Sequence, residues 1–144
     1  EDLERTIKAA EKHWQRGLTA GTDQDAYLNS VALNLHALYS GLERVFTYIA
    51  DDLDGGPPSG SEWHAQLLKQ MTLDLSPARP AVLAAETATL LLPYLKFRHL
   101  IRNIYATNLE LERMKALVTG LSAMWEAVLA DLESFRAVLL EMGG

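Results

Sequence analysis

In the run Tyr94-Leu-Lys-Phe-Arg-His-Leu-Ile-Arg-Asn-Ile-Tyr105, Arg98, Arg102 and Tyr105 fall at i, i+4 and i+7, and His99 and Asn103 form a second i, i+4 pair beside them. On a helix those spacings gather side chains into stripes along one face. Two guanidiniums, an imidazole, an amide and a phenol then crowd two turns of an otherwise acidic chain, between apolar residues fit to pack a core. This set suits an anionic ligand. RNA cleavage by the 2′-hydroxyl needs a base near that hydroxyl, a donor to the leaving oxygen and cations around the phosphorane. His99 titrates near neutrality and can serve as acid or base. Arg98 and Arg102 can bind the scissile phosphate by bidentate bonds. Asn103 can orient the phosphate or the imidazole, and Tyr105 can donate a hydrogen bond or stack a base. No metal is needed when the 2′-hydroxyl is the nucleophile. One subunit offers a single such imidazole, whereas a two-fold dimer joining two clusters supplies two histidines and four arginines.

The bland alternative is a buried ion-pair network, with Glu43 and Glu86 as structural partners of the arginines. His36, Tyr39 and Glu43 share a face at i, i+3 and i+7. They form either a hydrogen-bonded seam against a neighbouring helix or, through Glu43, an outer support that orients Arg98 or Arg102. His13 and His64 read as solvent-facing or helix-capping residues. The histidines make no i, i+4 pair with one another, so no metal motif and no cofactor is expected. Trp63, Trp125 and Phe135 read as core or as dimer interface.

Composition bounds the classes. A chain of 144 residues, 49% hydrophobic and 22% charged, is enough for one globular domain with a real core. A net charge of -6 does not attract nucleic acid at long range, so any RNA contact must be local. The absence of cysteine excludes a disulfide framework or thiolate metal site and fits a reducing, cytoplasmic compartment. No apolar run approaches the roughly 18–20 residues of a membrane span, and no signal peptide is visible.

The elements that must position the cluster read as helical throughout. Leu3, Ile7, Ala10 and Trp14 predict an amphipathic helix to about Arg16, broken by the stretch from Gly17 to Gly21. A capping-box pattern, Thr22-Asp-Gln-Asp25, opens a helix of roughly 45 Å from about Asp23 to Leu53. Gly55-Gly-Pro-Pro-Ser-Gly60 ends it. Ser61 is positioned to cap a short helix with Trp63, Leu67, Leu68 and Met71, and Ser76-Pro-Ala-Arg-Pro80 is a second breaker. The polar cluster rides on a helix from about Ala84 to Ala106, with Pro93 inside it. That proline is expected to bend the helix one turn before Arg98. Thr107-Asn-Leu-Glu110 opens one last long helix to about Met142. The expectation is an all-α, up-and-down bundle of four to five helices, one of them Pro-kinked, in a single domain over residues 1–144.

Four segments resemble the HepT-like ribonuclease toxins, a branch of the HEPN helical-bundle superfamily. They are residues 33–46 (LNLHALYSGLERVF), Trp63-His64 with Leu67-Leu68, Arg79-Pro80, and Phe97-Arg-His-Leu-Ile-Arg-Asn-Ile-Tyr105. The resemblance implies a homodimeric toxin that cleaves RNA with a motif of Arg, a polar residue, a short spacer and His. It also implies a partner nucleotidyltransferase of the MntA type, which silences the toxin by transferring AMP onto a tyrosine beside the motif. Arg102-Asn103 matches the Arg–polar step, and Tyr105 is the tyrosine to modify. The family's His, four to six residues after Arg102, is replaced by Ala106, Thr107 and Asn108. Either His99 takes the imidazole's role from the other side, or this branch has weak or no nuclease activity. The acidic last helix reads as a solvated face and as a surface for a basic antitoxin.

Three readings follow: a metal-independent ribonuclease toxin, a non-catalytic HEPN-fold subunit that serves a nucleotidyltransferase, or a structural helical dimer. The internal proline, the Gly-Pro loop and the charged cluster on an apolar helix argue against the last.

Overall fold

The computed structural model describes residues 2–19, 24–103 and 111–143; at Thr19, Asp25, 99–103 and Leu111 it describes the backbone alone. Six α-helices are described: α1 (Asp2–Thr19), α2 (Gln24–Leu53), α3 (Trp63–Met71), α4 (Ala85–Asn103), α5 (Leu111–Thr119) and α6 (Leu121–Gly143). Among the described residues there is no strand, only an isolated antiparallel bridge between Leu75 and Arg79. The fold is all-α, and six helices exceed the expected four to five.

The chain divides into two compact units, one of residues 1–41 and 93–121, the other of residues 42–92 and 122–144. In the first, Ile7, Ala10 and Trp14 of α1, Leu35 and Leu38 of α2, Phe97 of α4 and Met114 and Leu117 of α5 are buried. These are the positions the 3.6-residue periodicity selects. Helix α1 continues past Gly17, which was expected to break it. A Cβ at Gly17 would lie 3.2 Å from the Tyr27 Cβ, so this glycine serves a close approach to α2. The Gly17 carbonyl accepts the Gln24 side-chain amide at 3.1 Å. His13 is half-buried rather than solvent-facing: its Nδ1 meets the Ser30 hydroxyl, and its ring is tilted against Tyr27.

The predicted single last helix is two helices meeting at Gly120. In an unbroken helix the Leu117 carbonyl accepts the amide four residues on. Here it accepts the Tyr94 hydroxyl at 2.6 Å. Gly120 adds its own penalty, about 1 kcal/mol against alanine in a helix interior.

In the second unit, Phe46 and Ala50 of α2, Leu67 and Met71 of α3, Leu91 of α4 and Met124, Val128 and Phe135 of α6 are buried. Trp63 and Trp125 are half-buried. Glu62, not Ser61, occupies the N-cap of α3, with no side-chain cap bond. Gly55, Gly56 and Gly60 take φ of 83°, 130° and 107°, which only glycine adopts without strain. After α3 the chain folds back on itself: the amides of Val82 and Leu83 both donate to the Met71 carbonyl, at 2.9 and 3.0 Å.

Arg79 holds this return. It is 0% exposed. Its Nε and Nη2 donate to the two oxygens of Asp54 at 2.6 and 2.7 Å, Nη1 to the Leu73 and Pro80 carbonyls, both at 2.9 Å, and Nη2 also to the Gln70 carbonyl at 3.1 Å. All five guanidinium hydrogens are thus used. Asp54 further accepts the Gln70 amide at 2.7 Å. The Arg79 hydrogen bonds hold the Asp54 carboxyl below the usual carboxylate range.

Candidate functional site

Helix α4 carries the candidate cluster, and each end of it is anchored inside one unit. At its start, the Ala84 amide donates to Asp131 of α6 at 2.9 Å, and Glu86 sits in the first turn. Both carboxylates complement the positive end of the helix dipole. Pro93 is exposed and lies inside α4, which continues through it. One residue later, Tyr94 turns its ring into the core of the first unit and gives its hydroxyl to Leu117. Burial pushes the Tyr94 phenol up, away from ionisation, so it acts as a fixed donor. We expect Tyr94→Phe to cost about 1–3 kcal/mol, because a buried carbonyl loses its hydroxyl partner while the ring still packs. Chemical denaturation with an unchanged m-value would measure it.

Arg98 lies one turn beyond Tyr94. It is half-buried, and its Nε donates to the Ser40 hydroxyl of α2 at 3.2 Å. Ser40 was not foreseen as part of the site; a hydroxyl in mid-helix gives no local sign of what it will face. The backbone of α4 is helical through Asn103, so residues 98 and 102 share one face and residues 99 and 103 the next. The side chains of His99, Arg102 and Asn103 lie outside the described residues, and so does Tyr105. What is placed is therefore the helix bearing four of the five candidates and the support of one of them.

The expected supporting face of α2 is only partly as read. Tyr39 is buried and His36 half-buried. Glu43, 5% exposed, accepts from Nδ1 of His64 on α3 at 2.7 Å. His64 is itself 6% exposed, not solvent-facing as expected, and the Trp63 ring covers it at a centroid distance of 3.7 Å. This pair stitches α2 to α3 within the second unit and follows the seam reading for Glu43. Of the arginines, Arg79 is excluded as a ligand group because its hydrogens are all spent on Asp54 and three carbonyls. Among the described residues, no three His, Asp or Glu side chains gather as a metal site, and no helix is long and apolar enough to cross a membrane.

Comparison with known proteins adds one finding. A family model described as "HepT-like protein" matches residues 30–139, more than half of the chain and the whole of α3, α4 and α5. No curated protein and no solved structure matches the chain.

Proposed function

The chain belongs to the HepT-like family of the HEPN superfamily, and from that premise we propose that it is a toxin of a toxin–antitoxin pair, acting in the cytoplasm as a metal-independent endoribonuclease. The observation that carries this reading is the concentration of Arg98, His99, Arg102 and Asn103 on the last turns of α4, in a chain of net charge -6. In this reading the arginines hold the scissile phosphate, with Arg98 braced by Ser40. His99 moves the proton of the 2′-hydroxyl or of the leaving oxygen, and Asn103 orients phosphate or imidazole. Two copies in a two-fold dimer, with the cluster at or near the contact, assemble the second imidazole the reaction needs. The direct test is incubation of the purified chain with total RNA, with and without EDTA: cleavage that survives the chelator supports the proposal, and intact RNA counts against it.

A second reading is favoured by a specific observation. The positions where the family carries its catalytic His hold Ala106, Thr107 and Asn108. In that reading the same helix presents Tyr105 to a nucleotidyltransferase without cutting RNA.

Both readings include silencing or marking by adenylylation. The Tyr105 oxygen attacks the α-phosphorus of ATP, loses its proton, and pyrophosphate leaves. The new phosphodiester lies one turn from Arg102, which can pair with it, while the adenosine fills space that RNA would occupy. We expect a mass gain of AMP after incubation with an MntA-type nucleotidyltransferase, ATP and magnesium, and its loss in Tyr105→Phe. A gain that persists in Tyr105→Phe removes this residue from the mechanism.

A further inference from the structure

Helix α6 has a buried face, with Met124, Val128 and Phe135, and a second seam that faces solvent. The seam holds Leu129, Glu133, Arg136 and Leu140, spaced 4, 3 and 4 residues apart. Leu129 and Leu140 are 39% and 65% exposed, and the side chains of Glu133 and Arg136 are 66% and 73% exposed. Alternating steps of four and three average 3.5 residues, the period at which two helices keep a seam in contact along their length. The order of steps reads the same in both directions, and so does the chemistry once charges are exchanged: Leu, Glu, Arg, Leu reversed is Leu, Arg, Glu, Leu.

We propose that this seam is a self-docking surface and that it pairs antiparallel with the same seam of a second copy of the chain. A two-fold axis crossing α6 between residues 134 and 135 sets Leu129 beside Leu140 of the second copy and Glu133 beside Arg136 of the second copy, and each contact occurs twice. That is what an isologous interface requires. A parallel pairing in register instead sets Glu133 against Glu133 and Arg136 against Arg136, two like-charge contacts. The flank agrees. Trp125, Leu132 and Leu139 lie along one side of the seam and are half-buried. In a two-fold antiparallel pair like flanks meet, so apolar faces apolar. The Glu133–Arg136 pair within one helix is a 3.9 Å, exposed i, i+3 contact, weak enough to be exchanged for a partner across the axis.

One helix pair sits below the roughly 1,200 Å² of strong interfaces, so the expected association is in the micromolar range. The proposal is independent of the nuclease reading and assigns the acidic last helix to a second copy rather than to a basic partner. Sedimentation equilibrium on the full chain reads the association. We expect Arg136→Glu to weaken it about tenfold or more, and Glu133→Arg added to it to restore affinity to within about threefold of the parent. Register is read by sulfur pairing, because the chain has no cysteine of its own. The double variant Leu129→Cys, Leu140→Cys should oxidise to a covalent dimer. Leu129→Cys alone should not, since two copies of that position stand about 16 Å apart, beyond the ~7 Å a disulfide spans. A chain monomeric up to about 0.5 mM, with or without a basic protein bound to α6, overturns the proposal. So does a dimer indifferent to Arg136→Glu that yields no α6 disulfide, or a disulfide in Leu129→Cys alone.

Discussion

Arg79→Ala is expected to destabilise the fold by roughly 3–5 kcal/mol, the effect of removing one partner from a buried ion pair. For a chain of this size that lowers the thermal midpoint by about 10–15 °C. The arginine closes the second unit by meeting four acceptor groups at once: Asp54 after α2, Gln70 in α3, and Leu73 and Pro80 in the returning chain. Without it, a carboxylate 2% exposed and three carbonyls lose their donors together. Arg79→Lys keeps the charge, but a single ammonium has three hydrogens at one point and cannot span these acceptors, so most of the loss should remain. Acid gives an independent check. Asp54 is held below its ordinary value, chiefly by the Arg79 hydrogen bonds. A depressed carboxylate stabilises the fold above its unfolded pKa of about 3.9, and that contribution is lost as pH falls through the lower folded value. The stability gap between the parent and Asp54→Asn should therefore be constant above about pH 5 and shrink below about pH 4. A gap that does not change with pH, or an Arg79→Ala midpoint within about 3 °C of the parent, would show that the pair does not hold the fold.

Arg79 also marks where reading the chain stops. Its place in Ser76-Pro-Ala-Arg-Pro80 identified a breaker, because proline acts on its immediate neighbours. Its five bonds reach acceptors 1 to 25 residues away, which no local pattern reports. The same division runs through the fold. Helices α1 to α4 are legible because periodicity and Gly-Pro punctuation are local. Gly17 was misread because a glycine that ends a helix and one that admits a neighbouring helix look alike until Tyr27 is in place. The join at Gly120 was missed because the apolar period continues across it, while the hydroxyl that takes the Leu117 carbonyl comes from Tyr94. His64 was misplaced for the same reason: its partner Glu43 lies 21 residues earlier. The candidate cluster was visible in residue type and i, i+4 spacing, but Ser40, which braces Arg98, became visible only with α2 beside α4.

Arg102→Ala and His99→Ala should each abolish RNA cleavage and toxicity in cells, a fall of at least about 10²-fold in rate for either. The two residues do different work in the proposed mechanism. Removing Arg102 takes a charge-assisted contact from the phosphate as negative charge builds on its oxygens. Removing His99 takes the nearest group that can both give and accept a proton near neutral pH. Arg102→Lys should recover only part of the activity, since a point charge cannot hold two phosphate oxygens in a fixed plane. Fold loss is a poor explanation for inactivity here, because both positions lie within α4 and alanine is the best helix former. Unchanged far-ultraviolet circular dichroism and an unchanged thermal midpoint would establish that directly. The chelator arm separates mechanisms: with the 2′-hydroxyl as nucleophile, EDTA should leave the rate unchanged. Should the parent chain fail to cleave any RNA yet accept AMP on Tyr105, the substitution of Ala106, Thr107 and Asn108 for the family's histidine has removed catalysis, and the chain is the non-catalytic subunit. Should both variants cleave at the parental rate, the end of α4 is not the active site.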